Sequence, residues 1–308
     1  MDNTQNLNDK SAIKIQNLLR DFTAETTPFS ADKIDSFRDI LRPKTKIYVT
    51  FLPESDFNDT IRICRRLKSE GFIPIPHLAA RSIKNFSFLD NAMNCLTSES
   101  GIDEILCIAG AVEQPLGDFS NSMELLETGI FDKYKIKKIG IAGHPEGSPD
   151  ISDNAIQTAL DWKNKFHLRT NANLYIITQF CFESEPIIAW DQKIRELGNV
   201  LPIRLGIPGV ASLKTLLSYA NACGIGQSIN FLKKQALNVS KLLTTSTPDK
   251  LITAIAHYKS EDPSCGIDGV HMYPLGGIRQ SVNWAYKVVD GDFFMRKKEN
   301  GFKVNTNL

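Results

Sequence analysis

Neither sign of charge is in excess in this chain: Lys and Arg number 36 against 35 Asp and Glu, a formal net charge of +1. That balance argues against binding nucleic acid or a membrane surface through bulk electrostatics. No window approaches the roughly eighteen apolar residues of a membrane-spanning helix. The opening stretch MDNTQNLNDK has no apolar core of the signal-peptide kind. Six cysteines are present (Cys64, Cys95, Cys107, Cys181, Cys223, Cys265), but no CxxC pair. Cys107 and Cys181 sit in apolar runs, where a thiol behaves as a small hydrophobe. A reducing cytoplasm is the expected compartment.

Several chemical signatures are missing as well. There is no GxGxxG after an apolar run, no GxSxG, no HxH and no HExxH. The nearest glycine-rich match, CGIGQS at 223–228, lies between helical patterns and reads as a helix break. His77, His144 and His271 could meet at one rim, yet no Asp closes the last apolar run, so a metallohydrolase finds little support.

What is present is a core-forming composition, 42% hydrophobic and 23% charged. Residues 1–20 read as a flexible lead with a short helix, and 295–308 as a polar tail whose MRKKENGFK stretch is a solvated basic run. Between them, 21–294 read as a single domain. Eight short apolar runs recur: DFTAETT (21–27), KIYVT (46–50), FIPIPHL (72–78), EILCIAG (104–110), KKIGIAG (137–143), LYIITQF (174–180), PIRLGIP (202–208) and GVHMYPL (269–275). Amphipathic stretches separate them. In NDTIRICRRLKSEG (58–71), Ile61, Cys64 and Leu67 share one helical face and Gly71 follows the last turn. SLKTLLSYANACG (212–224) repeats the pattern behind a Ser. Near-continuous apolar strands alternating with such helices predict a parallel sheet covered by helices. Eight units in this length predict a closed (β/α)8 TIM barrel with its active site at the C-terminal rim of the strands.

The residues closing each run are therefore the candidates: Glu25 to Pro28, Thr50, His77, Gly110, Gly143 to Glu146, Gln179, Pro208 with Gly209, and His271 with Tyr273. Gln179 is unusual in an otherwise apolar strand; its amide can donate to and accept from a heterocycle at once. Glu25, with apolar surroundings, is expected to have a raised pKa and to serve as a proton donor. Each has a plainer reading. Glu25 could cap a helix or lie at the surface, His271 could hydrogen-bond to backbone, Met272 could fill core, and Lys163 could be a solvated helix lysine. The small residues Gly110, Gly143 and Gly209 suit a flat ligand lying close to backbone.

These residues resemble a known family. The anchors are IPHLAAR (75–81), GIAGHPEGSP (140–149), IITQFCFE (176–183), RLGIPGVASLKTLLSYANACGIG (204–226) and GVHMYPLGG (269–277). In this order they are similar to the methylenetetrahydrofolate reductases, flavoprotein barrels that reduce 5,10-methylenetetrahydrofolate to 5-methyltetrahydrofolate with NADH or NADPH. The resemblance implies Glu25 as the acid that protonates N10 of the folate, and Gln179 as the group that binds pterin and nicotinamide in turn. It implies FAD contacts for Thr50, His77, Gly110, Ser120, His144 and Lys163, and substrate contacts for Gln179, Thr215 and Tyr219. The chain departs from the family at the fourth strand, where Ala109, Gly110 and Ala111 replace the usual Arg-Gly-Asp. His144 stands for a Tyr, and Ser148 for a common His. Whether Glu113 or Asp118 compensates is left open by the sequence. The departure leaves two alternatives standing: a family member working oxidatively or without flavin in one-carbon catabolism, and a barrel that only binds folate or flavin. No nucleic-acid or membrane partner is expected. Association into a homo-oligomer is open, and regulation by a C-terminal domain is not expected.

Overall fold

The computed structural model describes residues 3–53, 55–223, 229–230, 232–233, 242–296 and 301–305. Most of CGIGQS and part of the basic run lie outside these. Each of the eight apolar runs carries one strand: β1 (Thr23–Thr26), β2 (Lys46–Val49), β3 (Ile73–Ala79), β4 (Glu104–Ile108), β5 (Lys138–Gly143), β6 (Asn173–Thr178), β7 (Ile203–Pro208) and β8 (Ile267–Tyr273). They close into a parallel barrel in the order β1-β8-β7-β6-β5-β4-β3-β2. Helices connect them, as parallel neighbours require. The principal ones are α1 (Asn3–Leu19), α2 (Phe57–Ser69), α3 (Phe86–Ser100), α4 (Asp153–His167), α5 (Ser184–Glu196), α6 (Leu213–Ala222), α7 (Asp249–Glu261) and α8 (Ile278–Val289). Asp56 caps α2, and Gly71 beyond its end takes φ +97°, the left-handed turn that glycine adopts without strain.

Chain contacts gather into two compact units. The first comprises 23–143 and 157–177. Its strands bury alternate residues on one face, where Tyr48, Ile75, Leu106 and Ile177 pack with Ile108 and Tyr175. Barrel interiors are dominated by branched aliphatics, but this one carries a hydrogen-bonded column. Lys46 Nζ donates to Glu104 Oε2 at 2.5 Å, Glu104 hydrogen-bonds Tyr175, and the Tyr175 and Tyr48 hydroxyls meet at 2.6 Å. Burial, with Tyr48 and Glu104 adding to it, pushes the Tyr175 hydroxyl well above its usual pKa. Gly140 makes room: a Cβ there would lie 3.0 Å from Tyr175 Cζ.

The second unit comprises 1–22, 144–156 and 178–308. Asp191 of α5, fully buried, accepts from Tyr258 Oη (2.6 Å), Arg195 Nε (3.2 Å) and Gly266 N (3.2 Å), tying α5 to α7 and to the start of β8. Two sequence expectations change here. The lead is mostly one helix, because Ile15, Leu18 and Leu19 recur at helical spacing and are buried where α1 packs on α7 and α8. The polar tail is partly a hairpin, Phe293–Met295 pairing antiparallel with Phe302–Val304. Phe302 is fully buried and stacks on Trp284 of α8 with ring centroids 5.7 Å apart, which anchors the hairpin despite its charged neighbours.

Candidate active site

Alternation along each strand sets which residues share a face with the buried positions before them. Thr50, His77, Gln179 and Tyr273 each stand two positions beyond a buried residue of the same strand parity (Tyr48, Ile75, Ile177 and His271).

In the first unit, Glu25 stands in register with Tyr48 on β2. Its Oε2 lies 4.0 Å from His77 Nε2, with the two side chains only 18% and 10% exposed. The helix cap in ETTP is Thr27, whose hydroxyl accepts from Ser30 N at 3.0 Å, with Pro28 opening the short helix Pro28–Ala31. Glu25 is thus released from capping and faces an imidazole. Tyr48 sets that imidazole edge-on, ring centroids 5.9 Å apart. Thr50 N donates to Thr26 O at 3.1 Å, while its buried Oγ1 has no hydrogen-bond partner among the described residues.

Gly110 takes φ +93°, and a Cβ on it would come within 3.0 Å of Ala79 Cβ. The loop that follows is held by Arg81, whose guanidinium donates to Val112 O (3.3 Å) and Ser120 O (2.9 Å). Ser120 is exposed, and its backbone N donates to Glu124 Oε2. Glu113 and Asp118 are exposed too. Lys163 of α4 is buried, not solvated, at 6% exposure. Among the described residues no carboxylate pairs with it; burial lowers its pKa, opposed by the neighbouring Cys107. Cys107 is itself pushed up to about 12 by burial and donates to Ser122 O at 3.7 Å.

In the second unit, His144 O accepts from Gly147 N at 3.1 Å, forming the turn in HPEG. The Cys181 thiol is pushed well up by burial, with the Glu146 carboxylate adding to it. Gln179 Oε1 accepts from Phe180 N at 3.1 Å. An N–H cannot donate to an NH2, so this bond fixes the amide and leaves its NH2 for an acceptor atom of a ligand. Thr178 Oγ1 donates to Gln179 O (2.9 Å) and accepts from Gly206 N (2.8 Å), while Tyr273 Oη donates to Thr178 O (3.0 Å). On α6, Thr215 N and Oγ1 both engage Ser212, the helix cap. Tyr219 stands 44% exposed. His271 is fully buried and packs edge-on against Tyr273, with centroids 4.8 Å apart.

Glu25, Thr50 and His77 are therefore brought together, whereas Ser120 contributes backbone and Thr215 is occupied in capping. Tyr48, Tyr175, Thr178 and Gly206 were not legible as site residues. Strand parity could have marked Tyr48 and Tyr175, which share the faces of Thr50 and Gln179, but not Thr178.

Residues 31–234 match the model of the methylenetetrahydrofolate reductase family. Methylenetetrahydrofolate reductase 2 of Saccharomyces cerevisiae is 27% identical over 150 residues, 46% of this chain and 24% of that protein's length. Among solved structures, an uncharacterized protein from Clostridium thermocellum that binds two copies of 5-methyl-5,6,7,8-tetrahydrofolic acid aligns with a TM-score of 0.55 at 13% identity. That alignment covers 89% of this chain and 96% of that one, a likeness of fold. Among the described residues no helix is long and apolar enough to cross a membrane, and no cluster of three or more His, Cys, Asp or Glu could hold a metal ion.

Proposed function

The chain belongs to the methylenetetrahydrofolate reductase family, and from that premise we propose that it reduces 5,10-methylenetetrahydrofolate to 5-methyltetrahydrofolate with NADH or NADPH through bound FAD, as a cytoplasmic enzyme of one-carbon metabolism feeding methionine synthesis. The observation that carries the proposal is the Glu25 carboxyl facing His77 at 4.0 Å where β1 and β3 end. Glu25 holds the proton that N10 takes as the imidazolidine ring opens. His77, fixed by Tyr48, is placed to orient that carboxyl. Gln179, in the second unit, offers its NH2 to an acceptor atom of a bound heterocycle.

The residues present fit a flavin nucleotide. Lys163 is a buried amine with no carboxylate partner among the described residues, suited, when protonated, to the phosphate or ribose region. Thr50 Oγ1 is a buried hydroxyl with no hydrogen-bond partner among the described residues, and Gly110 admits a ring close to backbone. FAD, when bound, supplies hydride transfer between two substrates that bind in turn.

Glu25→Gln tests the proposal. Flavin reduction by NAD(P)H should persist while folate reduction falls by at least about 100-fold, the contribution of one positioned acid. Folate reduction at wild-type rate would reject the acid. A colourless protein, inactive with added FAD and either nicotinamide, would reject the reading as a whole. Ala109 and Ala111 favour a second reading, because they remove a charge and an acceptor that the family places beside the flavin. On that reading the enzyme works oxidatively, or without flavin. Flavin content measured beside turnover in both directions separates the two. Tight folate binding with no turnover from any donor would instead leave a binding barrel.

A further inference from the structure

We propose that Tyr273 is a positioning residue for Gln179, acting across the bare backbone of Gly206. The inference rests on the reading of Gln179 as a ligand-binding amide. Tyr273 ends β8, Gly206 lies in β7, and Thr178 ends β6. The Tyr273 hydroxyl passes over Gly206 to the Thr178 carbonyl at 3.0 Å, the peptide group that leads directly into Gln179.

Gly206 makes that reach feasible. A Cβ there would lie 2.4 Å from Thr178 O, 2.8 Å from Gln179 O and 2.8 Å from Tyr273 Cε2. Two successive backbone oxygens and the Tyr273 ring thus occupy the space a side chain would need. A second strut runs from Gly206 N to Thr178 Oγ1 (2.8 Å) and on to Gln179 O (2.9 Å). The Tyr273 ring is itself held between Phe180 (5.2 Å) and His271 (4.8 Å), both edge-on. Because Gln179 Oε1 is tied to Phe180 N, the amide moves with the Gln179 backbone, whose preceding peptide Tyr273 restrains. The hydroxyl touches no reacting atom in this scheme. It sets where an NH2 donor points.

The test is a double-mutant cycle on the full chain loaded with FAD, reading equilibrium binding of 5-methyltetrahydrofolate and the steady-state constants for the folate substrate. Tyr273→Phe keeps the ring and its packing. It should weaken folate binding about 3- to 10-fold, the range of one net hydrogen bond. KM should rise while kcat holds. In a Gln179→Ala background the same substitution should have no further effect. Thr178→Val, which removes the second strut, should behave alike, so the inference survives a poorly folding tyrosine variant. Equal weakening in both backgrounds would mean that Tyr273 acts by packing, and would overturn the inference while leaving the reading of Gln179 intact. Wild-type binding by Tyr273→Phe and Thr178→Val would overturn it as well. Wild-type binding by Gln179→Ala would remove the premise, and the inference with it.

Discussion

Substituting Gly206 by alanine adds one methyl group where three atoms already stand. Its nearest neighbour would be Thr178 O at 2.4 Å, about 1 Å inside the distance at which a carbon ordinarily meets a carbonyl oxygen. Two of the three neighbours are backbone oxygens, which cannot retreat without disturbing the barrel. The third, the Tyr273 ring, can yield only by surrendering its hydroxyl bond. Overpacking of this kind costs about 1–3 kcal/mol, and the lost bond about 0.5–1.5 more. The stiffer unfolded chain returns about 0.4–1 kcal/mol, leaving a net loss of about 0.5–4 kcal/mol. With an unfolding entropy of about 2.1 cal/mol/K per residue over 308 residues, Tm should fall by about 1–6 °C.

Gly269→Ala is the internal control. It lies on β8, in register with Arg204 of β7, and the nearest atoms to its added Cβ would be the Arg204 guanidinium at 3.5–3.7 Å, ordinary van der Waals contact. That variant should match or slightly exceed the parent. Differential scanning calorimetry of both variants decides the matter. If Gly206→Ala and Gly269→Ala melt within a degree of each other, the close approach over Gly206 is wrong.

Lys163 gives a pH signature. Its pKa is lowered in the folded protein, so between that lowered value and the unfolded value near 10.5 the unfolded chain binds more protons, and stability should rise with pH across this window. Urea unfolding of the FAD-free protein from pH 7 to 10 should show the rise, and Lys163→Met should flatten it while weakening FAD binding; a flat parent profile would refute the burial argument. Tyr175→Phe leaves the Tyr48 hydroxyl and Glu104 each one partner short, at a cost of about 1–3 kcal/mol. Thermal unfolding should register a loss of about 2–5 °C, and an unchanged midpoint would mean the column does not stabilise the barrel.

The eight strands were legible because each buried run is nearly continuous in apolar residues, a signal that needs no partner to be read. The ends were less clear. β8 begins at Ile267, two residues ahead of the apolar run, because exposed Asp268 interrupts the pattern. Phe302 and Val304 alternate with a lysine over only three residues, too short for a period to show, so in the sequence their strand reads as tail. At the site, glutamate, histidine and glutamine stood out as polar closures of apolar runs. Gly206, Thr178 and Tyr48 did not, since their roles depend on which residues lie across neighbouring strands. The Lys163 side chain looked like helix surface for the same reason, because local spacing carries no sign of what the helix packs against.

The stacking of Phe302 beneath Trp284 equips the protein with a built-in optical gauge. Trp284 is 1% exposed, so its indole emits from a dry environment only while Phe302 remains seated. Wetting of that indole would redden its emission, and a Phe302→Ala variant read against Trp284→Phe would report how firmly the hairpin is docked before the rest of the chain lets go.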